Sequence, residues 1–241
     1  MPRPLIDLLW RDHADAPVGG RRGPRARYST GDVVERAIAL ADESGIAAVT
    51  VRALAQSLEL TAMSVYTHVN SRVDLLVLMA DRVHARMPMT PFGRAAWRTR
   101  VPRVADDNLA LYREHAWLLD VDDPRTALGP GTIAKYDREL HAFDGTALDD
   151  VDRDAALTFV LDWVRSAARR IVGRAPADDF EATWLESEAS LACYVGDDFA
   201  LARRVGRAAG EAMGGPYDAE RAWTFGLDRI IAGLGDLDRS D

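Results

Sequence analysis

The sequence predicts an all-α fold, and two observations support that prediction. From Ser29 onward, apolar residues recur almost without interruption at the i, i+3, i+4 spacing of amphipathic helices. Alternating apolar and polar residues never persist over the length of a β-strand, and β-branched residues are scattered singly. With 241 residues, 48% of them hydrophobic and 28% charged, the chain is long enough to bury a core. We therefore expect a soluble helical protein with one large domain or two modest ones.

Four helices are predicted within residues 28–87, where each begins at a Ser or Thr that can cap exposed helical amides. These caps are Ser29, Thr50, Thr61 and Ser71. The corresponding helices are expected to run to Gly45, Leu58, about Val69 and Met87. After Pro91, longer helices are predicted near residues 94–119, 125–143, 148–173, 178–194, 198–213 and 218–236. Residues 1–27 lack sustained periodicity and contain several Pro and Gly residues, so we expect a flexible arm there.

Residues 51–69, VRALAQSLELTAMSVYTHV, are typical of a helix-turn-helix, two short helices joined by a tight turn. Leu54, Leu58 and Val65 supply apolar contacts that fix the angle between the two helices. The second helix keeps a polar outer face, and a helix of this size fits the major groove of DNA. The residues expected to face DNA are Thr61, Met63, Ser64, Tyr66, Thr67 and His68.

The charge distribution favours a nucleic-acid contact near the N-terminus, although the net charge is −8. Residues 1–87 contain 11 Arg against 10 Asp and Glu, whereas residues 88–241 contain 19 basic against 28 acidic residues. Within the arm, four arginines form a cluster: Arg21, Arg22, Arg25 and Arg27. Arginines on a flexible arm can enter the minor groove of DNA, and a solubilising role is the alternative explanation for this cluster.

Residues 29–87 resemble the DNA-binding domain of the tetracycline-repressor (TetR) family of bacterial transcription regulators. The run ALADESGIAAVTVRALAQSLEL, the segment SVYTHV and the segment SRVDLL carry this resemblance. WLLDVDDPRTALGPG and WTFGLDRIIAGL resemble parts of that family's C-terminal domain. Glu59 departs from the pattern, because the family commonly has Gly in the helix-turn-helix turn. A left-handed backbone at Glu59 would cost about 1 kcal/mol.

The resemblance implies three domains or segments: an arm over residues 1–27, a DNA-binding domain over 28–87, and an effector-binding and dimerisation domain over 88–241. It also implies that Arg52 reaches DNA and that Arg72 contacts phosphate. A small, apolar or aromatic effector is expected to occupy the C-terminal bundle, although core packing explains the same apolar residues. The candidate effector-binding residues are Met79, Asn108, Tyr112, Trp117, Tyr136, Phe159 and Trp163.

A cytoplasmic, homodimeric repressor of double-stranded operator DNA is thus the expected function, with release by a small molecule. Cys193 is the only cysteine and the acidic clusters fall at helix starts, so we expect no metal and no other cofactor. No apolar run is long enough to span a bilayer, and no membrane contact is expected. A ligand-independent architectural dimer is one alternative. A helical enzyme is another, although no catalytic motif is recognisable.

Overall fold

The structure, a computed structural model, describes residues 3–16, 27–88, 90–172, 183–184, 186–187, 190–191, 193–195, 198–213 and 218–235. Over these residues the chain is helical and contains no β-strand, which confirms the predicted all-α class. We number the α-helices α1 Leu5–Leu9, α2 Thr30–Ser44, α3 Val51–Ser57, α4 Ala62–Val65, α5 Arg72–Arg86, α6 Trp97–Glu114, α7 Pro130–Leu140, α8 Asp150–Val172, α9 Ala200–Met213 and α10 Ala219–Gly233.

The caps predicted for the first helices are present. The Ser29 hydroxyl accepts a hydrogen bond from the Asp32 amide, and the Asp32 carboxylate accepts one from the Ser29 amide at 2.7 Å. The Asp32 carboxylate also accepts a hydrogen bond from the Ser29 hydroxyl at 2.8 Å, and the two bonds that the carboxylate accepts from Ser29 lower the pKa of Asp32 below its ordinary value. Gly45 ends α2 with a φ of 80°, a conformation that glycine adopts without steric cost. One length is corrected: α4 ends at Val65, and a turn rather than a helix leads to Val69.

Two of the longer predicted helices are interrupted. The helix expected near 94–119 is α6 followed by a 3₁₀ turn at Ala116–Asp120, because His115 leaves helical geometry with φ −126° and ψ 68°. The helix expected near 125–143 is a 3₁₀ turn at Pro124–Leu128 followed by α7, with a second 3₁₀ turn at His141–Phe143. Gly129 separates the first turn from α7 in an extended conformation, which ends the preceding helical turn.

The chain forms two compact units, Met1–Arg165 and Ser166–Asp236. In the first unit a single apolar core runs from Leu8 to Val121 and includes buried side chains of α2, α3 and α5. This core continues past residue 87, where we predicted the limit of the DNA-binding domain. Residues on both sides of position 87 therefore share one apolar core.

The N-terminal arm requires a correction. Residues 5–9 form α1, and Leu8 and Leu9 are buried in the core of the first unit, so this part of the predicted flexible arm is ordered. Burial of two leucines stabilises a helix too short to persist alone. Arg21, Arg22 and Arg25 lie outside the described residues, and nothing tests their predicted contact with DNA. Arg27 is described, and its guanidinium donates to the Glu59 carboxylate at 3.0 Å.

α5 and α7 cross at close range because two glycines lie at the start of α7. A Cβ on Gly129 would overlap the Asp81 side chain, and one on Gly131 would overlap the Asp81 carbonyl. The Asp81 carboxylate accepts a hydrogen bond from the Thr132 amide at 2.8 Å, so a side chain of α5 caps α7. Burial raises the pKa of Asp81, and the hydrogen bonds from the Thr132 and Gly131 amides only partly oppose this shift. Across the described residues, no helix is both long and apolar enough to cross a membrane.

Candidate nucleic-acid interface

The α3–α4 hairpin is built by local hydrogen bonds and by a buried apolar seam. The Thr50 and Thr61 hydroxyls accept hydrogen bonds from the amides of Ala53 and Ser64, so each helix starts at the predicted cap. Leu54 and Val65 are fully buried, and they hold α4 against the core. Glu59 has a φ of 54°, which confirms the left-handed turn that its position predicted.

α4 and the turn after it present an exposed face, as predicted. Met63 is 75% exposed and Tyr66 is 48% exposed, although both are large side chains with apolar surface. The hydroxyls of Thr61 and Ser64 lie 2.9 Å apart, and the Thr67 hydroxyl donates to the Ser64 carbonyl at 2.7 Å. Each hydroxyl oxygen still has lone pairs, so these side chains remain available as acceptors for donors on base edges.

His68 and Arg52 differ in their surroundings. The His68 ring is half-buried, with Nδ1 3.4 Å from the Thr30 hydroxyl of α2. Desolvation and the nearby Arg3 charge lower the pKa of His68 below its ordinary value. Arg52 is exposed at the start of α3, where a guanidinium is accessible to a large anionic partner.

Arg72 has a structural role that the sequence did not indicate. Its Nε donates to the Val49 carbonyl and its Nη2 to the Ile46 carbonyl, both at 2.7 Å. These bonds tie the 3₁₀ turn Ile46–Ala48 to the start of α5. Since the side chain remains exposed, its predicted phosphate contact stays a prediction, with only part of its donors available.

The family model described as "Tetracyclin repressor-like, C-terminal domain" matches residues 90–237. The chain belongs to the tetracycline-repressor family. It is 34% identical over 166 residues to the HTH-type transcriptional repressor DrrR1 of Streptomyces coeruleorubidus, a match that covers 68% of this chain and 60% of that protein.

Solved structures of TetR-family proteins share this fold. The TetR family protein ActR of Streptomyces coelicolor in complex with actinorhodin has a TM-score of 0.71 at 24% identity, covering 87% of this chain and 97% of that one. BioQ with its natural double-stranded DNA operator has a TM-score of 0.54 at 23% identity, covering 61% and 88%. At sequence identities of 23% and 24%, these structures show that the fold is shared, but they do not show which ligand this chain binds.

The candidate effector residues of this TetR-family chain differ in their burial. Three are buried in the protein interior, Met79, Asn108 and Trp117, and the Trp117 indole donates to Asp42 of α2 at 2.7 Å. Tyr112 packs against the core and Trp163 is half-buried. Tyr136 and Phe159 are exposed by 42% and 54% in the protomer, and their role in effector binding stays a prediction. The Tyr136 hydroxyl donates to Asp154 at 2.7 Å.

A buried polar cluster lies between α6 and α7 and was only partly predicted. Glu139 is fully buried, and its carboxylate accepts hydrogen bonds from Lys135 Nζ and Asn108 Nδ2, each at 2.6 Å. Nearby, His84 of α5 lies 2.9 Å from the Thr132 hydroxyl, and burial lowers its pKa to about 3. The sequence signal for this cluster is that Lys135 is the sole lysine, with Glu139 four residues later on α7.

Cavities of the first unit lie elsewhere. One of about 340 Å³ is bounded by α2, α5 and α6, with Ile38, Val83 and Leu111 among its lining residues. Another of about 370 Å³ lies beside Phe92 and Arg138. Both volumes reach the lower end of the range for small-molecule sites. None of the seven candidate effector residues is among the residues lining these two cavities.

Proposed function

We propose that this chain is a one-component transcriptional repressor that binds a near-palindromic operator as a homodimer and is released by a small molecule. The match to DrrR1 spans only 60% of that protein. DNA binding, dimerisation and release by a small molecule are therefore all parts of this proposal. We further propose that it acts in the cytoplasm, where the operator DNA is, and that it has no enzymatic activity.

The observation that carries the proposal is the exposed face of α4 and its following turn. Met63, Tyr66 and Thr67 are exposed on a segment whose other side is fixed by the buried Val65. A rigidly held helix with outward apolar and polar groups suits contact with thymine methyls and base-edge donors in the major groove. Membership of the TetR family and the DNA complex of BioQ support the same proposal.

Selection from a pool of random duplexes, followed by fluorescence anisotropy at rising salt, tests DNA binding. We expect a two-fold symmetric enriched sequence and a steep loss of affinity with salt, because arginines displace phosphate counterions. Arg52→Ala should weaken all sequences alike and reduce the salt slope by about 1. Thr67→Ala should change the preferred bases, by about 1 to 3 kcal/mol at the affected position. Recovery of no enriched sequence would contradict the proposal.

A homodimer is proposed because one helix-turn-helix reads few base pairs. In the second unit, Phe225 of α10 is 67% exposed, and Gly226 beside it is partly exposed. Exposed aromatic surface of this kind favours a subunit interface. Ile230 of the same helix is buried within the protomer, so Phe225 and Gly226 are the stronger interface candidates on α10. Sedimentation should show a dimer for the wild type and a monomer for Gly226→Glu.

An effector is proposed on the basis of the family and of ActR, whose structure with actinorhodin shares the fold of this chain. Two open clefts of the first unit, of about 340 and 370 Å³, match the lower end of the size range of small-ligand sites, which is consistent with an effector. Compounds made or exported by neighbouring gene products should be screened for release of the selected duplex. If none of them alters DNA binding, the architectural dimer takes the place of the effector-controlled repressor.

A further inference from the structure

The N-terminal segment Arg3–His13, called the strap below, packs along the first unit. Its helix α1 contacts α5 and buries Leu8 and Leu9 in the same core as α3 and α4. Burial of these leucines anchors the middle of the strap, so forces at one end reach the other through a packed element. The bonds at its two ends therefore decide which parts of the molecule it connects.

One end of the strap is bound to the segment that follows α4. Arg3 Nη2 donates to the Thr67 carbonyl at 3.2 Å. The Asn70 side-chain amide donates to the Arg3 carbonyl at 2.8 Å and to the Asp74 carboxylate at 3.1 Å. The strap thus holds both the turn that carries Thr67 and the loop that leads into α5.

The other end is bound to the region just before α7. The Trp10 indole Nε1 donates to the Leu128 carbonyl at 2.8 Å, and Leu128 is the last residue of the 3₁₀ turn Pro124–Leu128. The same turn is fixed to α5 from its other side, because Arg125 donates to Asp74 at 3.0 Å. Leu128 lies within residues 90–237, the part matched by the C-terminal domain model.

We infer that the strap is a further link, besides α5 and the Asp42–Trp117 contact of α2, between the C-terminal domain and the DNA-reading segment, with Arg3 and Trp10 as positioning residues at its ends. This inference rests on the proposed function, since positioning of Thr67 matters only if that segment reads DNA. A displacement at the start of α7 then moves Trp10, α1 and Arg3 together, and so changes the orientation of Thr67. The connection reaches the Thr67 carbonyl through Arg3, in addition to the contact that Asp74 of α5 makes with the 3₁₀ turn Pro124–Leu128.

The test removes the side-chain hydrogen bond at each end of the strap by substitution and measures hydrogen exchange at the amides of residues 66–70. Trp10→Phe removes the indole donor and keeps an aromatic ring, whereas Arg3→Gln removes the guanidinium. Arg3→Lys keeps a charged donor and should restore slow exchange. Arg94→Gln is the matched control, because Arg94 is another exposed arginine and lies outside the strap. Loss of one net hydrogen bond should speed exchange about three- to tenfold for Arg3→Gln and at least about twofold for Trp10→Phe.

The double variant distinguishes one connected strap from two local contacts. If the strap is a single link, Trp10→Phe should not increase the exchange rate further once Arg3 is changed to Gln. If the two contacts are independent, the double variant should show the product of the two single-variant rate increases. The inference is overturned if Trp10→Phe leaves exchange at residues 66–70 at the wild-type rate, or if the effects multiply. Affinity for the selected duplex is measured in parallel and should fall by the same factors, with an unchanged salt slope. Since exchange needs no DNA, a wild type that binds no duplex refutes the proposed function and leaves the exchange result to decide about the strap.

Discussion

Removing the charge of Glu139 is expected to destabilise the first unit strongly, although side-chain size is kept. The Glu139 side chain is 1% exposed and that of Lys135 is 10% exposed, and a 2.6 Å bond joins their charged groups. Glu139→Gln keeps the shape and an oxygen for the Asn108 amide, yet it leaves the Lys135 ammonium buried without a counter-charge. Breaking a buried pair in this way costs about 3 to 5 kcal/mol. For a chain of this length, that lowers Tm by about 6 to 20 °C.

Urea and thermal denaturation followed by circular dichroism measure this loss. The double variant Lys135→Met with Glu139→Met removes both charges, and the Asn108 amide keeps its bond to the Val104 carbonyl, so the stability should return to within about 1 kcal/mol of the wild type or exceed it. The reasoning is refuted if Glu139→Gln is as stable as the wild type, or if the double variant is less stable than Glu139→Gln alone. Either result would mean that water or rearrangement already compensates the Lys135 charge.

Three further changes have defined outcomes. Glu59→Gly should raise the free energy of unfolding relative to Glu59→Ala by about 1 kcal/mol in urea titrations, because only Gly relieves the φ of 54°. Burial lowers the pKa of His84 to about 3 from 6.5, so below pH 6.5 the unfolded chain takes up a proton that the folded chain refuses. As pH falls below 6.5, the free energy of unfolding should therefore decrease by up to about 1.4 kcal/mol per pH unit. His84→Gln should lack this pH-dependent component when denaturation is compared at about pH 7 and pH 5. Gly131→Ala should destabilise the α5–α7 crossing and lower Tm, and an unchanged Tm would show that this crossing is loose.

The capped helices near the N-terminus could be predicted because the interactions that define them are local. Ser29, Thr50, Thr61 and Ser71 each accept a bond from an amide three residues later, so sequence spacing alone identifies them. The left-handed turn at Glu59 was predicted from the family resemblance, because the family commonly has Gly at that position of the turn.

The features that were missed depend on tertiary contacts. α1 has five residues and persists because Leu8 and Leu9 find a core formed by distant residues. Arg72 bonds to carbonyls 23 and 26 residues away, and spacing cannot distinguish that arrangement from a phosphate contact. Likewise, Phe159 belongs to an apolar stripe of α8 that extends beyond the buried face. Periodicity assigns a stripe to a helix without saying how much of it is covered.

Footprinting of the selected duplex with two matched variants tests the central claim, that the exposed face of α4 reads DNA. Met63→Glu places a negative charge on that face, where the side chain is 75% exposed. Ile133→Glu places the same charge on α7, where the side chain is 43% exposed. We predict a two-fold symmetric protected site for the wild type and for Ile133→Glu, and no protection for a folded Met63→Glu. Protection of the same site by Met63→Glu would contradict the claim.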